Sequence, residues 1–336
     1  MNKTIQRRSG PKIVAIGGGT GLSTMLRGLK KKTGNLTAIV AVSDNGGGSG
    51  VLREELGMLP PGDVRNCIQA LANTEPTMER LLAYRFTEGH LKGQSFGNLF
   101  LAALNGMAGS FDQAVEQMSE VLAITGRVLP VTNANVHLTA DFDDGATVTG
   151  QVQIARYKRE SDSRIRPISV VPEHPTALPA CLEAIAQADL ILLGPGSLYT
   201  SVIPNLLVDG ICEAIHASGA MKMYIMNLMT QDGETEGYSG QAHIQALFDH
   251  GGAGLFDHCL INSREIPPYM LDAYHMEGAH PTQVDEQALK ALGVTACYAP
   301  VARWAGGLVR HDPEDLAQAI VDTYLALSPV KVYTKK

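Results

Sequence analysis

The stretch "KIVAIGGGTGLSTMLRGLKKKTGNLTAIVAVSDNGGGSG", residues 12–50, decides how the chain folds. Its opening "KIVAI" is a short apolar run that stops at Gly17, as a buried parallel strand would. The "LSTMLRGLKKKT" that follows the glycines sets Leu22, Met25, Leu26 and Leu29 on one helical face. "LTAIVAV" (36–42) is the next strand. Strand, helix and strand make a βαβ unit, the seed of a doubly wound sheet. In such sheets ligands sit at the carboxyl ends of the strands. Both strands here end in glycines, which let a ligand approach the backbone closely. The helix behind each loop offers free N–H groups to an anion.

Outward from this unit, residues 51–130 read as mostly helical. Asp63 in "PPGDVRNCIQALA" is expected to cap one helix. "GNLFLAALNGM" (97–107) is apolar enough for a buried one. Between 127 and 171 the pattern changes. "RVLPVT", "VHLTADFDDG", "ATVTGQVQIARY" and "IRPISVV" alternate apolar and polar residues, which predicts antiparallel hairpins. The strand–loop–helix rhythm returns at "ADLILLGPGS". Strands are expected at 221–229, 257–263 and 294–301, and helices near 177–187, 204–217, 239–249, 284–292 and 313–327. The fold class is therefore α/β: one doubly wound, mainly parallel, Rossmann-like domain over 11–330. An antiparallel β excursion is inserted at 127–171, with flexible tails at 1–10 and 331–336.

Composition narrows the function. The chain has 336 residues and a net charge of −7, which argues against nucleic acid as the main partner. Cys67, Cys181, Cys212, Cys259 and Cys297 form no CxxC pair and sit in apolar segments, as reduced thiols of a cytosolic protein do. No apolar run is long enough for a signal h-region after the basic "MNKTIQRRSGPK", or for a membrane span. A cytoplasmic location is expected.

The candidate site residues lie on three glycine loops, each leaving a strand end. The first holds Gly17, Gly18, Gly19, Thr20 and Gly21; it lacks the Gly-Lys-Ser/Thr ending of a P-loop and the strict GxGxxG spacing. The second holds Ser43, Asp44, Asn45 and Gly46. A carboxylate beside an anion cradle suits a Mg²⁺ ligand, a sugar-hydroxyl acceptor or a general base. The alternative for Asp44 and Asn45 is an Asx-turn on their own backbone. The third, "LGPGS" (193–197), offers Gly194, Gly196 and Ser197 as a phosphate-binding turn; GxSxG fails, so Ser197 is not a nucleophile elbow. "GDVRN" (62–66) adds Asp63, Arg65 and Asn66, and "NLMTQDGETEGY" adds Asn227, Thr230 and Gln231. The ten histidines show no metal-ligand spacing, and His275 and His280 read as ordinary surface or core residues.

Taken together, "VAIGGGTGLSTMLRGLK", "VSDNGGGSG", "PPGDVRN", "FGNLFLAAL", "LPVT", "LGPGSLYTSVIPNLLV", "NLMTQDGETEGY" and "LVRHDPE" resemble the YvcK (GlmR) family of gluconeogenesis factors, of CofD-like fold. The shared segments run from about residue 13 to 316. The resemblance implies a nucleotide-diphosphate ligand, notably UDP-N-acetylglucosamine. It implies a regulatory role in growth on gluconeogenic carbon sources, cell shape and cell-wall precursor supply. Asp44 falls on the family's loop carboxylate and is the tentative metal ligand; Arg310 falls on an arginine tied to UDP-sugar binding, as bidentate hydrogen bonding to a diphosphate suits. Asn98 lies in a shared segment and joins the site. The expected partners are the nucleotide sugar, an enzyme of cell-wall precursor supply and a second copy of the chain. Three positions depart from the pattern: Gly48 stands for Ser, Asp232 for Pro, and Pro313 for a phosphorylatable threonine. Three readings stay open: a UDP-sugar sensor, a CofD-like metal-dependent transferase using Asp44, and an NAD(P)-binding protein with Asp44 about 25 residues beyond the glycine loop.

Overall fold

The computed structural model describes residues 10–161, 163–276 and 278–328. The tails expected at 1–10 and 331–336 lie outside these residues, Gly10 apart. Among the described residues, seven strands form one sheet: β1 (Ile13–Gly17), β2 (Leu36–Val40), β3 (Arg127–Pro130), β7 (Leu190–Leu193), β8 (Met221–Ile225), β9 (His258–Asn262) and β10 (Thr295–Ala299). Their order is β10-β9-β8-β7-β1-β2-β3, and each neighbouring pair is parallel. In β1 and β7 each residue is buried, which is why they read as unbroken apolar runs rather than as alternations.

The helices between the strands are α1 (Gly19–Leu29), α2 (Gly47–Leu56), α3 (Gly62–Leu71), α4 (Pro76–Ala83), α5 (Phe96–Met107) and α6 (Phe111–Val121) before β3. After it come α7 (Gln151–Glu160), α8 (Pro179–Ala186), α9 (Ile203–Leu206), α10 (Ile211–Ala217), α11 (Gly240–Gly251), α12 (Pro268–Met276), α13 (Glu286–Ala291) and α14 (Pro313–Leu327). Helix α1 packs between α3 and α14, closely enough that a Cβ on Gly28 would overlap the Pro313 carbonyl. Three short strands, β4 (His137–Phe142), β5 (Thr147–Thr149) and β6 (Ile165–Val171), form a separate antiparallel sheet in the order β5-β4-β6. A two-stranded hairpin pairs β11 (Ala302–Ala305) with β12 (Leu308–His311).

The structure redraws four expectations. Residues 127–130 belong to the main sheet, so the antiparallel excursion begins at β4. "QVQIARY", read as strand, opens helix α7: Gly150 at φ +102° ends β5, and the Asn45 side chain accepts the free Val152 N–H at 3.0 Å. The helix expected over 204–217 splits into α9 and α10 at Gly210, whose φ of +92° does not continue a helix. Helix α5 is apolar but only half covered: Gly97, Asn98 and Leu101 are buried, while Met107 is 79 % exposed.

Candidate functional site

The strand order turns back on itself between β1 and β7, so the crevice at their carboxyl ends is the place where a doubly wound sheet takes a ligand. The first glycine loop does not precede α1 but forms its first turn, with Gly18 in extended backbone at the N-cap and no side-chain cap. The N–H groups of that turn therefore have no partner within the helix. The loop after β7 packs directly on it. A Cβ on Gly21 would lie 2.5 Å from the Pro195 carbonyl oxygen, and one on Gly196 would lie 3.1 Å from that of Gly18. Only glycine allows this approach. A single amide fastens the floor: buried Asn205 donates through Nδ2 to the carbonyls of Gly17 (3.2 Å), Ser201 (2.9 Å) and Val202 (3.3 Å). These include carbonyls of the π-helical turn Leu198–Val202, whose wide winding breaks the usual helical ladder.

Above these loops opens a cavity of about 530 Å³. Gly19, Thr20, Gly21, Gly196 and Ser197 line one side, Asn227, Thr230 and Gln231 from the β8 loop another, and Arg310 of β12 a third. The Ser197 hydroxyl donates to Gln231 Oε1 at 2.8 Å, and Asn227 Nδ2 to the Gly196 carbonyl at 2.9 Å. The Tyr274 hydroxyl accepts the Val309 N–H at 2.8 Å and so holds the strand that carries Arg310. His311, beside it, is buried; that burial pushes its imidazole down to about 4, and the ring stays neutral near pH 7. A larger cavity of about 1360 Å³ opens at the amino ends of β1–β3, but none of the sequence-predicted site residues lines it.

A second polar group sits behind Gly18, outside this cavity. The Asx-turn alternative for Asp44 is realised: its Oδ1 accepts the Gly46 N–H at 2.8 Å. Its Oδ2 faces the start of α3, where a Cβ on Gly62 would lie 3.2 Å away. Asp63 is not a cap; Pro61 holds the N-cap position and Asp63 falls in the first turn of α3. It reaches across to α1 instead, with Oδ2 2.6 Å from where a Gly18 Cβ would be, and accepts from the Gly19 backbone. Burial first, then the negative Asp44, push the Asp63 carboxyl up to about 7 against the pull of Gly19 and Arg65. Arg65 is buried and donates to Asn98 Oδ1 (3.1 Å) and Gln69 Oε1 (3.2 Å). Arg53, 5 % exposed, donates to the Val136 carbonyl, while its Nε and Nη1 and the Ser43 hydroxyl find no protein partner. Two carboxylates at one place fit a Mg²⁺ that takes its other ligands from water and phosphate oxygens. Among the described residues no group of three His, Cys, Asp or Glu gathers to hold a metal unaided.

The comparisons with known proteins bear on this arrangement. The family model described as "2-phospho-L-lactate transferase CofD" matches residues 13–302, which takes in both glycine loops of the crevice and the Asp44–Asp63 pair. The chain belongs to the CofD family. Within it, the relatives are gluconeogenesis factors of the YvcK branch. The protein named "Gluconeogenesis factor" in Bacillus subtilis is 46 % identical over 93 % of this chain and 98 % of its own. A relative in Thermoanaerobacterium thermosulfurigenes is 54 % identical over 93 % of this chain and 97 % of its own. A crystal structure of a Bacillus halodurans protein superposes with a TM-score of 0.89 at 45 % identity, covering 92 % of this chain and 99 % of that one.

Two departures from the YvcK pattern now have a setting. A Cβ on Gly48 would lie 2.8 Å from Gln94 Oε1, a buried acceptor with no protein partner, so serine there requires that amide to move. Asp232 lines the cavity and pairs with Arg159 of α7 at 2.7 Å. Of the sequence-predicted residues, the crevice gathers those on the first and third loops, the β8 loop and Arg310. Gly17, Gly18 and Gly194 form its floor without facing it. Ser43, Asp44, Gly46, Asp63, Arg65, Asn66 and Asn98 lie outside the lining. Asn45 is engaged by α7, through Gln153 at 2.8 Å and Val152. Thr24, Arg159, Tyr274 and His311 line the cavity and were not singled out in the sequence. For Arg159 the one available signal is the Arg156–Glu160 pair, four residues apart as on a helix.

Proposed function

We propose that this CofD-family chain is a gluconeogenesis factor that works by binding a UDP-sugar, UDP-N-acetylglucosamine in particular, and regulates a partner enzyme of cell-wall precursor supply. The observation that carries the reading is the crevice itself: the helix start of α1, the Pro195–Ser197 turn and Arg310 line one cavity of about 530 Å³. That volume lies in the range of small-molecule pockets, and the pairing of amides with a guanidinium suits a diphosphate. Asn227, Thr230 and Gln231 supply neutral hydrogen-bonding groups for a base or sugar. A role in cell shape and a cytoplasmic location belong to the same reading. Among the described residues no helix is long and apolar enough to cross a membrane.

The test is titration calorimetry with UDP-N-acetylglucosamine, with and without Mg²⁺, followed by analysis of the mixture for free UDP. Saturable binding with the sugar nucleotide intact is expected, and Arg310→Ala is expected to weaken it more than tenfold. An unchanged affinity in that variant removes Arg310 from the site.

One observation favours a second reading, the CofD-like transferase. Asp63, with its carboxyl near 7, and Asp44 stand behind the crevice wall as a candidate cation-binding pair. Release of UDP or a new product by the wild type, abolished in Asp44→Ala, would establish that reading and overturn the sensor. The dinucleotide reading is weakened because Asp44 lies outside the cavity lined by Gly19–Gly21, away from where a ribose acceptor is needed.

A further inference from the structure

A second cavity, of about 660 Å³, lies on the far side of the loop 231–238 from the first. Gln231 and Asp232 line the first cavity; Glu236, Gly237 and Tyr238 line the second. Its opposite wall is the start of β6, and its base is α11. Nothing in the reading above uses it.

Its chemistry is basic and aromatic. Arg164, Ile165, Arg166 and Pro167 together line one stretch of its wall, with Ile165 buried and both arginines exposed. Neither makes an ion pair among the described residues. Of the other charged groups, Lys158 and Glu236 offset one another, and Asp249 keeps its negative charge, so the lining is basic by the two arginines against one carboxylate. Lys158, with 13 % of its side chain exposed, lies 3.7 Å from Glu236, and Asp249 accepts from Gln245 at 2.8 Å. His250 is neutral by geometry: its Nε2 accepts the Ile168 N–H at 2.9 Å, leaving Nδ1 to donate to the Ala246 carbonyl. Tyr199, 4 % exposed, meets Tyr238 hydroxyl to hydroxyl at 2.8 Å, ring edge to face. One such contact uses one of the two hydroxyl hydrogens, and the other is left to donate. Two guanidinium groups without an ion pair among the described residues, a spare hydroxyl donor and a tyrosine wall suit a phosphate carried on a small carbon body.

The loop between the cavities is tied from both sides. Consecutive residues of α7 grip it, Arg159 on Asp232 and Lys158 on Glu236. Beneath it runs a chain of hydrogen bonds: Ser197 to Gln231, Gln231 to Glu234 (3.4 Å), and Tyr199 N–H (3.2 Å) and Thr200 Oγ1 (2.6 Å) to Glu234. Tyr199 then meets Tyr238. We propose that the second cavity is a binding site for a small phosphate-bearing molecule, and that its occupancy shifts ligand affinity in the first cavity through the loop 231–238. The site stands apart from the UDP-sugar reading; the coupling rests on it.

The test titrates the full chain, in chloride buffer, with inorganic phosphate and with glycerol 3-phosphate. The wild type, Arg164→Ala/Arg166→Ala and Arg310→Ala are compared, with circular dichroism confirming that each is folded. Saturable binding is expected in the wild type and in Arg310→Ala, weakened at least tenfold in the double variant. Tighter binding of the ester supports an organic phosphate as occupant; equal binding supports phosphate itself. No saturable binding of either probe, an unchanged affinity in the double variant, or loss in Arg310→Ala instead overturns the site. UDP-N-acetylglucosamine affinity is then measured with and without saturating probe. A change of at least threefold, absent in the double variant and matched by an equal change in probe affinity, is expected of coupled sites. An unchanged affinity overturns the coupling. Failure of UDP-N-acetylglucosamine to bind at all counts against the first site and leaves the phosphate titration to stand by itself.

Discussion

Replacing Glu234 with glutamine tests how the loop between the two cavities is held. Glu234 is 2 % exposed, and each of its protein partners is a donor: Tyr199 N–H, Thr200 Oγ1 and Gln231 Nε2. Burial is the dominant influence and raises its carboxyl from 4.5 to about 7, more than those donors lower it. The folded state therefore holds the proton more tightly than the unfolded chain. Below about pH 4.5 both states are protonated and this contribution to stability is fully present; it is lost as pH rises through 7. Linkage between those two values gives a loss of about 2.5 kcal/mol from pH 5 to pH 8. Glutamine has the same shape and does not titrate, and the Thr200 hydroxyl can turn to accept from its amide. His311, whose imidazole is pushed down to about 4, acts with the opposite sign: its contribution is present above pH 6.5 and lost as pH falls toward 4. The Asp63 carboxyl, also raised to about 7, adds to the Glu234 effect, and the wild-type curve mixes all three, so the informative quantity is a difference. Urea unfolding followed by circular dichroism at pH 5, 6, 7 and 8 should show Glu234→Gln gaining about 2.5 kcal/mol on the wild type across that range. A difference that stays flat with pH would refute the argument, since it would place the Glu234 carboxyl at its ordinary value.

Three further outcomes are expected. Gly21→Ala sets a methyl 2.5 Å from the backbone oxygen of Pro195, which cannot swing aside as a side chain could. It should cost about 1–3 kcal/mol and weaken UDP-N-acetylglucosamine binding, read by thermal melting and calorimetry. Native protein treated with a thiol reagent should label at most Cys212 and Cys297, located by mass spectrometry. Cys67, Cys181 and Cys259 are buried, and burial pushes the Cys181 thiol up to about 12. Asp44→Asn removes the negative neighbour of Asp63, so carbon NMR should find the Asp63 carboxyl titrating below 7, yet above the ordinary 3.8 because burial remains.

The frame of the fold was legible because its signals are local. A buried parallel strand needs an unbroken apolar run, and "KIVAI", "LTAIV" and "LILL" supply it; each ends in a loop rich in glycine. What the sequence hid depends on contacts distant along the chain. Val152 and Ile154 alternate with glutamines as a strand would, but Asn45, more than a hundred residues earlier, caps this segment as α7, and Tyr157, three residues beyond Ile154, already keeps the helical spacing. Arg159 was missed with it. Asp63 looks like a cap because it opens an apolar helical pattern; its true neighbour is Gly19, met only once α1 and α3 pack together. The apolar text of α5 implies burial, and it cannot say that one face of the helix is left uncovered.

Asn205 has a consequence for anyone mapping the crevice by substitution. Its amide stands in for the bonds that the π-helical turn leaves open and, with the same group, clasps the end of β1. It is fully buried and does not line the cavity. A leucine of similar size would take this donor from all three carbonyls, leaving that of Gly17 with the Ala41 N–H alone, and let the two glycine loops drift apart. A scan scored on ligand affinity would then mark Asn205 as a contact, although no ligand can touch it: the keystone of an arch is missed by everyone who looks only at the opening.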